Sequence, residues 1–142
     1  MRLLISACLL GEPCRYDGKS KPLPAETLDR LLREHTLIPV CPEQLGGLPT
    51  PRTPSERQGD RVVMRDGTDV TAEYEKGARI ACVLAEQTGA EAALLKARSP
   101  SCGSGAIYDG TFTGTLAPGD GVTAALVRTL GIPVYTEETF PF

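Results

Sequence analysis

The sequence predicts an α/β fold with an open, mostly parallel four-stranded sheet. Three observations predict it. Short, near-continuous apolar runs recur at intervals along the chain, as strands buried on both faces require. Stretches with helical spacing of Leu, Val and Ala separate them. Each of the first three runs closes on a loop rich in Gly, Pro or Ser. The chain has 142 residues, the size of one ordinary domain, and 41% of them are hydrophobic, enough for a core. With no Trp, three Phe and four Tyr, that core has to be built from Leu, Val, Ile and Ala.

The elements follow in order. RLLISAC (2–8) reads as the first buried strand and is closed by the loop GEPCRYDGKSKP. Pro24 opens a helix with Leu28, Leu31 and Leu32 on one face, ending near Glu34. LIPVC (37–41) is a second buried strand, running into the long loop PEQLGGLPTPRTPSE. RVVMRDGTDV (61–70) carries an Asp66-Gly67 turn between strand-like arms, a hairpin signal. Thr71 is placed to cap a helix from about Ala72 to Gln87, which Gly89 stops. AALLKAR (92–98) is the third core strand, followed by SPSCGSG. IYDGTFTG gives a second hairpin signal at Asp109-Gly110. Asp120 is placed to cap a last helix, with Val122, Ala125, Leu126 and Leu130 inward and Gly131 at its end. IPVYT (132–136) completes the set. The expected architecture is a three-layer, Rossmann-like sandwich with two small β-hairpins, in one domain spanning 1–142.

Composition narrows the function. A net charge of −3, with both signs mixed, argues against a nucleic-acid backbone binder. The opening apolar run is too short for a signal-peptide core and no run approaches a membrane span, so a cytoplasmic protein is expected. Neither a Gly-x-Gly-x-x-Gly nor a Gly-x-x-x-x-Gly-Lys-Ser/Thr motif is present, so no dinucleotide or nucleoside triphosphate is indicated. In a reducing compartment five Cys are metal ligands, catalytic groups or inert core residues more often than disulfides.

Three of those Cys fall at strand ends. Cys8 ends the first core strand, Cys41 the second, and Cys102 lies just past the third. In an open parallel sheet those ends share one edge, where ligands bind, so the three thiols should converge. Cys82 lies mid-helix among Ala78, Ala81 and Ala85 and reads as core; Cys14 is loop-borne near Cys8. A closed zinc site favours four ligands and close Cys pairs. The single His, His35, sits at a helix C-terminus, where it interacts with the dipole. Three thiolates without His suit an iron–sulfur cluster with one iron left open. Spacing alone does not separate that from a redox-active thiol site.

The segments SACLLGEPCRYDG, VCPEQLGGLPTPRTPSE, LLKARSPSCG, IYDGTFTG and LGIPVYTE resemble, essentially end to end, the YbbK/TudS domain-of-unknown-function family. Its characterised members are thiouracil desulfurases (desulfidases). The resemblance implies a 4Fe–4S cluster held by Cys8, Cys41 and Cys102, whose open iron binds the sulfur of 2-thiouracil. It implies a non-redox, hydrolytic desulfuration to uracil and sulfide, with Glu43 as the proton-transfer residue and Ser101 assisting beside the site. Longer members carry a further C-terminal domain, and this chain stops at Phe142, so the single-domain form is expected.

Residue chemistry is compatible with this. An open iron is a Lewis acid that can pull on a thiocarbonyl sulfur. A carboxylate two residues from a ligand is well placed to take a proton from attacking water. Arg15, Asp17, Arg52, Lys96 and Arg98 flank the motifs. They can neutralise a sulfide-loaded cluster, read a pyrimidine's polar edge, or simply pair on the surface. The expected partner is a small thiolated pyrimidine, with no nucleic acid and no membrane. The rivals are the same cluster chemistry on another sulfur compound, and a metal-binding sensor without turnover.

Overall fold

The computed structural model describes residues 1–142. Four strands, β1 (Arg2–Ser6), β2 (Thr36–Val40), β5 (Ala92–Leu95) and β8 (Val134–Thr136), form one parallel sheet in the order β2-β1-β5-β8. Two antiparallel hairpins stand apart from it: β3 (Ser55–Gln58) with β4 (Arg61–Met64), and β6 (Ala106–Tyr108) with β7 (Leu116–Pro118). The helices are α1 (Ala25–Glu34), α2 (Pro42–Leu45), α3 (Thr71–Thr88) and α4 (Val122–Arg128).

Side chains alternate across the sheet with the strand period of two. Leu3, Ile5 and Leu94 point to one face and pack with Leu31 of α1 and with Phe140 of the C-terminal segment. Leu4, Ala93 and Leu95 point to the other and pack with Cys82 and Ala85 of α3 and with Ala124 and Val127 of α4. Cys82 is therefore a core residue, as expected. From β1 the chain steps outward to β2 and later returns to the other side of β1 at β5. The reversal opens a crevice at the carboxyl ends of β1 and β5, where open α/β sheets place their ligands.

Several local expectations are corrected. Strand β2 is an edge strand rather than a fully buried one, which is how it accommodates the exposed Pro39. Only Leu31 of α1 is buried, while Leu32, one residue further round the helix, is 64% exposed. Thr71 begins α3 rather than capping it: its hydroxyl accepts from the Val62 N–H at 2.9 Å, tying the helix to β4. Asp120 does not cap α4; its carboxylate accepts from the Gly105 N–H and the Arg128 guanidinium. The inward face of α4 is Thr123, Ala124 and Val127. The Asp66-Gly67 turn forms, with a bridge between Val63 and Asp69, but β4 makes its regular ladder with β3. Polar SERQ (55–58) shows no apolar alternation, so nothing in its pattern announces a strand.

Two glycines set the position of α2. A Cβ on Gly46 would lie 2.0 Å from the Glu73 carbonyl oxygen, and one on Gly77 would lie 1.9 Å from that of Pro42. Backbone therefore rests directly on backbone where α2 meets α3. Gly89, at φ 66°, ends α3 in the left-handed conformation expected of it.

Candidate functional site: a thiol-lined cavity at the strand ends

The crevice is a cavity of about 570 Å³. Cys8, Cys14, Cys41 and Cys102 all line it. Each arrives by a different local device. Cys8 sits in a 3-10 turn (Ala7–Leu10) directly after β1, closed by Gly11 at φ 102°. Cys41 is the extended residue between β2 and α2, before Pro42 at the first helical position. Cys102 follows β5 in a turn whose backbone is held by the Ser99 hydroxyl, which accepts from the N–H groups of Ser101 and Cys102. Cys14 comes from the long loop after the 3-10 turn, and its carbonyl accepts from the Cys41 thiol at 3.6 Å and from Arg52 at 3.1 Å.

Cys14, Cys41 and Cys102 are held neutral by their surroundings. The Cys41 contact favours the Cys14 thiolate, but the Cys8 contact and burial outweigh it and push Cys14 up to about 11. Cys41 is raised strongly, first by its hydrogen bond to Cys14 and then by burial. Burial pushes Cys102 up to about 12 against the opposing contact with Ser6. Thiols crowded and buried in this way are poor nucleophiles. A bound metal centre is what makes such a set ionise.

The donor set discriminates between centres. No three His, Cys, Asp or Glu side chains converge on a point where one metal ion could sit. A mononuclear site needs that convergence. An iron–sulfur cluster takes thiolates on separate irons, and the lining of this cavity, four Cys and no His, suits it by donor type.

Beside Cys41, Glu43 points into the same cavity. Its Oε2 pairs with Arg52, and its Oε1 accepts from the Tyr74 hydroxyl at 2.9 Å. The Arg52 side chain is 3% exposed. Burial works against its charge, but Glu43 more than offsets this and holds the guanidinium above its ordinary value. Burial, followed by the Glu43 charge, raises the Tyr74 phenol well above its usual range. Tyr74 therefore stays a donor, and each Glu43 oxygen keeps a lone pair free for a proton.

Other expected site residues lie differently. Arg52 is engaged through both Nη atoms by Glu43, the Thr50 hydroxyl and the carbonyls of Cys14 and Pro49, while its buried Nε has no partner. Lys96 lines the cavity, but its Nζ is 2.5 Å from Glu137. Arg15 lines it while pairing with Asp17 at 3.6 Å; Asp17 itself is outside the lining and accepts from the Lys19 N–H. Ser101 is 1% exposed behind Cys102, with its hydroxyl 2.8 Å from that of Thr123. Sequence reasoning left Cys14 without a place and missed Tyr74, Phe112 and Arg65, which all line the cavity. A lone Tyr among the alanines of α3 was the available signal for Tyr74.

Comparison with known proteins gives three findings. Residues 3–139 match the sequence profile of a family described as 2-thiouracil desulfurase. The chain is 41% identical over 145 residues, covering 95% of each partner, to an uncharacterized protein YbbK of Bacillus subtilis (strain 168). Its fold superposes with a TM-score of 0.94 on a solved structure described as the [4Fe-4S]-dependent thiouracil desulfidase TudS. That match has 51% identity and covers 99% of this chain and 93% of the other.

Proposed function

Because the chain belongs to the 2-thiouracil desulfurase family, we infer that it is a thiouracil desulfidase dependent on a 4Fe–4S cluster. The observation that carries the site assignment is the ring of thiols around one cavity at the strand ends, next to a paired carboxylate. Cys8, Cys41 and Cys102 would hold the cluster, one from each of three successive core strands. Cys14, in contact with both Cys8 and Cys41, is the spare thiol of the set. When bound, the cluster would supply an open iron as Lewis acid for the substrate's sulfur.

The chain's own residues do the rest. Glu43 takes the proton of the attacking water as the new C–O bond forms at the carbon bearing sulfur. The C–S bond breaks, and sulfur leaves as sulfide with the electron pair. No electrons are gained or lost overall: thiouracil and water give uracil and hydrogen sulfide. Arg52 and Tyr74 orient the Glu43 carboxylate. Ser101, bonded to Thr123, braces the turn that presents Cys102. Arg15 and Lys96 stand at the cavity wall, where a pyrimidine's polar edge would come.

The finer substrate is 2-thiouracil or a related thiolated nucleobase, free in solution, handled by a single domain over 1–142. No helix is long and apolar enough to cross a membrane. Free thiols suit the reducing cytoplasm, as an open iron would. The test is anaerobic reconstitution with iron and sulfide, followed by metal and sulfide analysis and measurement of uracil formed from 2-thiouracil. Four irons per chain and stoichiometric release of uracil and sulfide are expected. A full cluster without sulfide release would leave a sensor, and bound zinc would overturn the cofactor.

A further inference from the structure

Phe112 is one of two non-glycine residues with positive φ, at 58°. A bulky side chain rarely adopts that conformation, and something must hold it there. The holder is Glu56, a carboxylate only 8% exposed in β3. Its Oε1 accepts from the Gly110 N–H at 2.9 Å and from the Phe112 N–H at 3.1 Å. Gln58, two residues along the same strand, donates to the Gly110 carbonyl at 2.9 Å. One hairpin thus grips the loop of the other by its backbone, beside the exposed bonds among Asp109, Thr111, Thr113 and Thr115 within that loop.

That grip has a directional result. Phe112 is half-buried and lines the same cavity as the thiols and Glu43. The Arg65 guanidinium sits 5.7 Å from its ring centroid, a cation–π contact that steadies one face. The ring borders the cavity, where a flat ring would lie against it. Of the other aromatics lining the cavity, Tyr74 is committed to Glu43, Tyr108 belongs to β6, and Tyr16 is 42% exposed with Arg15 over its ring.

We propose that Phe112 is the platform on which the substrate's pyrimidine ring stacks, and that Glu56 is its positioning residue. The chain accepts an unfavourable backbone conformation at one residue and uses a buried carboxylate to enforce it, where a glycine would sit without strain. Besides its sulfur and polar edge the substrate offers a flat, uncharged ring, and stacking on an aromatic face discriminates little between bases. The platform therefore serves binding of thiolated pyrimidines as a class, while the sulfur decides which of them reacts. This rests on the desulfidase reading above.

The test compares Phe112→Leu, Phe112→Gly, Phe112→Tyr, Glu56→Ala and Glu56→Gln in reconstituted protein. Two constants are read: KM for 2-thiouracil, and Kd for uracil by calorimetry. Iron content and melting temperature are read alongside. Leu and Gly variants should raise both constants about 10–100-fold with iron content unchanged. Phe112→Gly should melt at or above wild type, because the strain is released. Phe112→Tyr should keep wild-type constants. Glu56→Ala should raise KM with kcat little changed, and Glu56→Gln, whose amide oxygen can accept both N–H bonds, should restore it. Wild-type constants in Phe112→Leu would overturn the proposal. Fully loaded wild-type protein that forms no uracil would overturn the desulfidase reading alone, and the calorimetric arm would still decide the platform.

Discussion

The sheet and the hairpins build separate walls of one cavity by different physics. In the sheet, Leu3, Leu4, Ile5, Leu94 and Leu95 are fully buried, and the strand ends go where apolar packing sends them. The hairpins bury fewer apolar side chains, Val62 and Val63 of β4 and Ile107 of β6. They are joined to each other and to the loop before α4 by polar side chains reaching for backbone: Glu56 to the loop after β6, Gln58 to Gly110, and Arg57 to the Asp120 carbonyl at 2.6 Å. The first wall delivers sulfur and the second delivers shape. Burial positions groups robustly, whereas a polar clamp fails when one partner goes.

The sharpest test of the sulfur wall is all or none. Cys8→Ser, Cys41→Ser or Cys102→Ser should each abolish cluster retention after anaerobic reconstitution, while Cys82→Ser, on α3, keeps it; iron per chain is the readout. Next comes Glu43→Gln, which should retain cluster and substrate binding but lose about 10²–10⁴-fold in turnover, measured as uracil formed per cluster. A near-normal rate would move the base elsewhere.

Removing the guanidinium in Arg52→Met leaves Glu43 partly buried and unpaired, so it should cost about 3–5 kcal/mol in denaturant unfolding. Breaking the hairpin clamp with Glu56→Ala strands two backbone donors and should cost about 1–3 kcal/mol, with the sheet's unfolding cooperativity unchanged. The smallest effect is at the start of α3. Bonds from Thr71 and Arg61 lower Asp69 from 3.8 to about 2. A lowered folded pKa gives stability that is present above about 4 and lost as pH falls toward 2. Asp69→Asn should flatten that acid limb and leave neutral stability little changed.

The same division explains what was legible in the sequence. Runs such as RLLIS and AALL declare their burial, and with them came the sheet and the convergence of Cys8, Cys41 and Cys102 on one cavity. SERQ declares nothing, because its role depends on a loop more than fifty residues away. Cys14 was similarly opaque. Its place depends on Arg52 meeting its carbonyl and on Arg52 N–H meeting the Tyr16 carbonyl at 2.7 Å, contacts between two irregular loops. Asp120 and Thr71 look like caps locally, but tertiary partners take their oxygens. Ser101 looked free beside Cys102, and only the fold shows Thr123 behind it.

The seat of α2 on α3 has a consequence for how this protein can change over generations. Gly46 and Gly77 leave no side chain between the two backbones, so there is no rotamer to adjust and no volume to trade. Any larger residue at either position moves the segment that carries both Cys41 and Glu43. The floor of the cavity is therefore closed to gradual mutation. The rim is open: Tyr16, Arg65 and Phe112 are side chains, replaceable one at a time. Descendants of this sequence can drift in what they admit far more readily than in what they do to it.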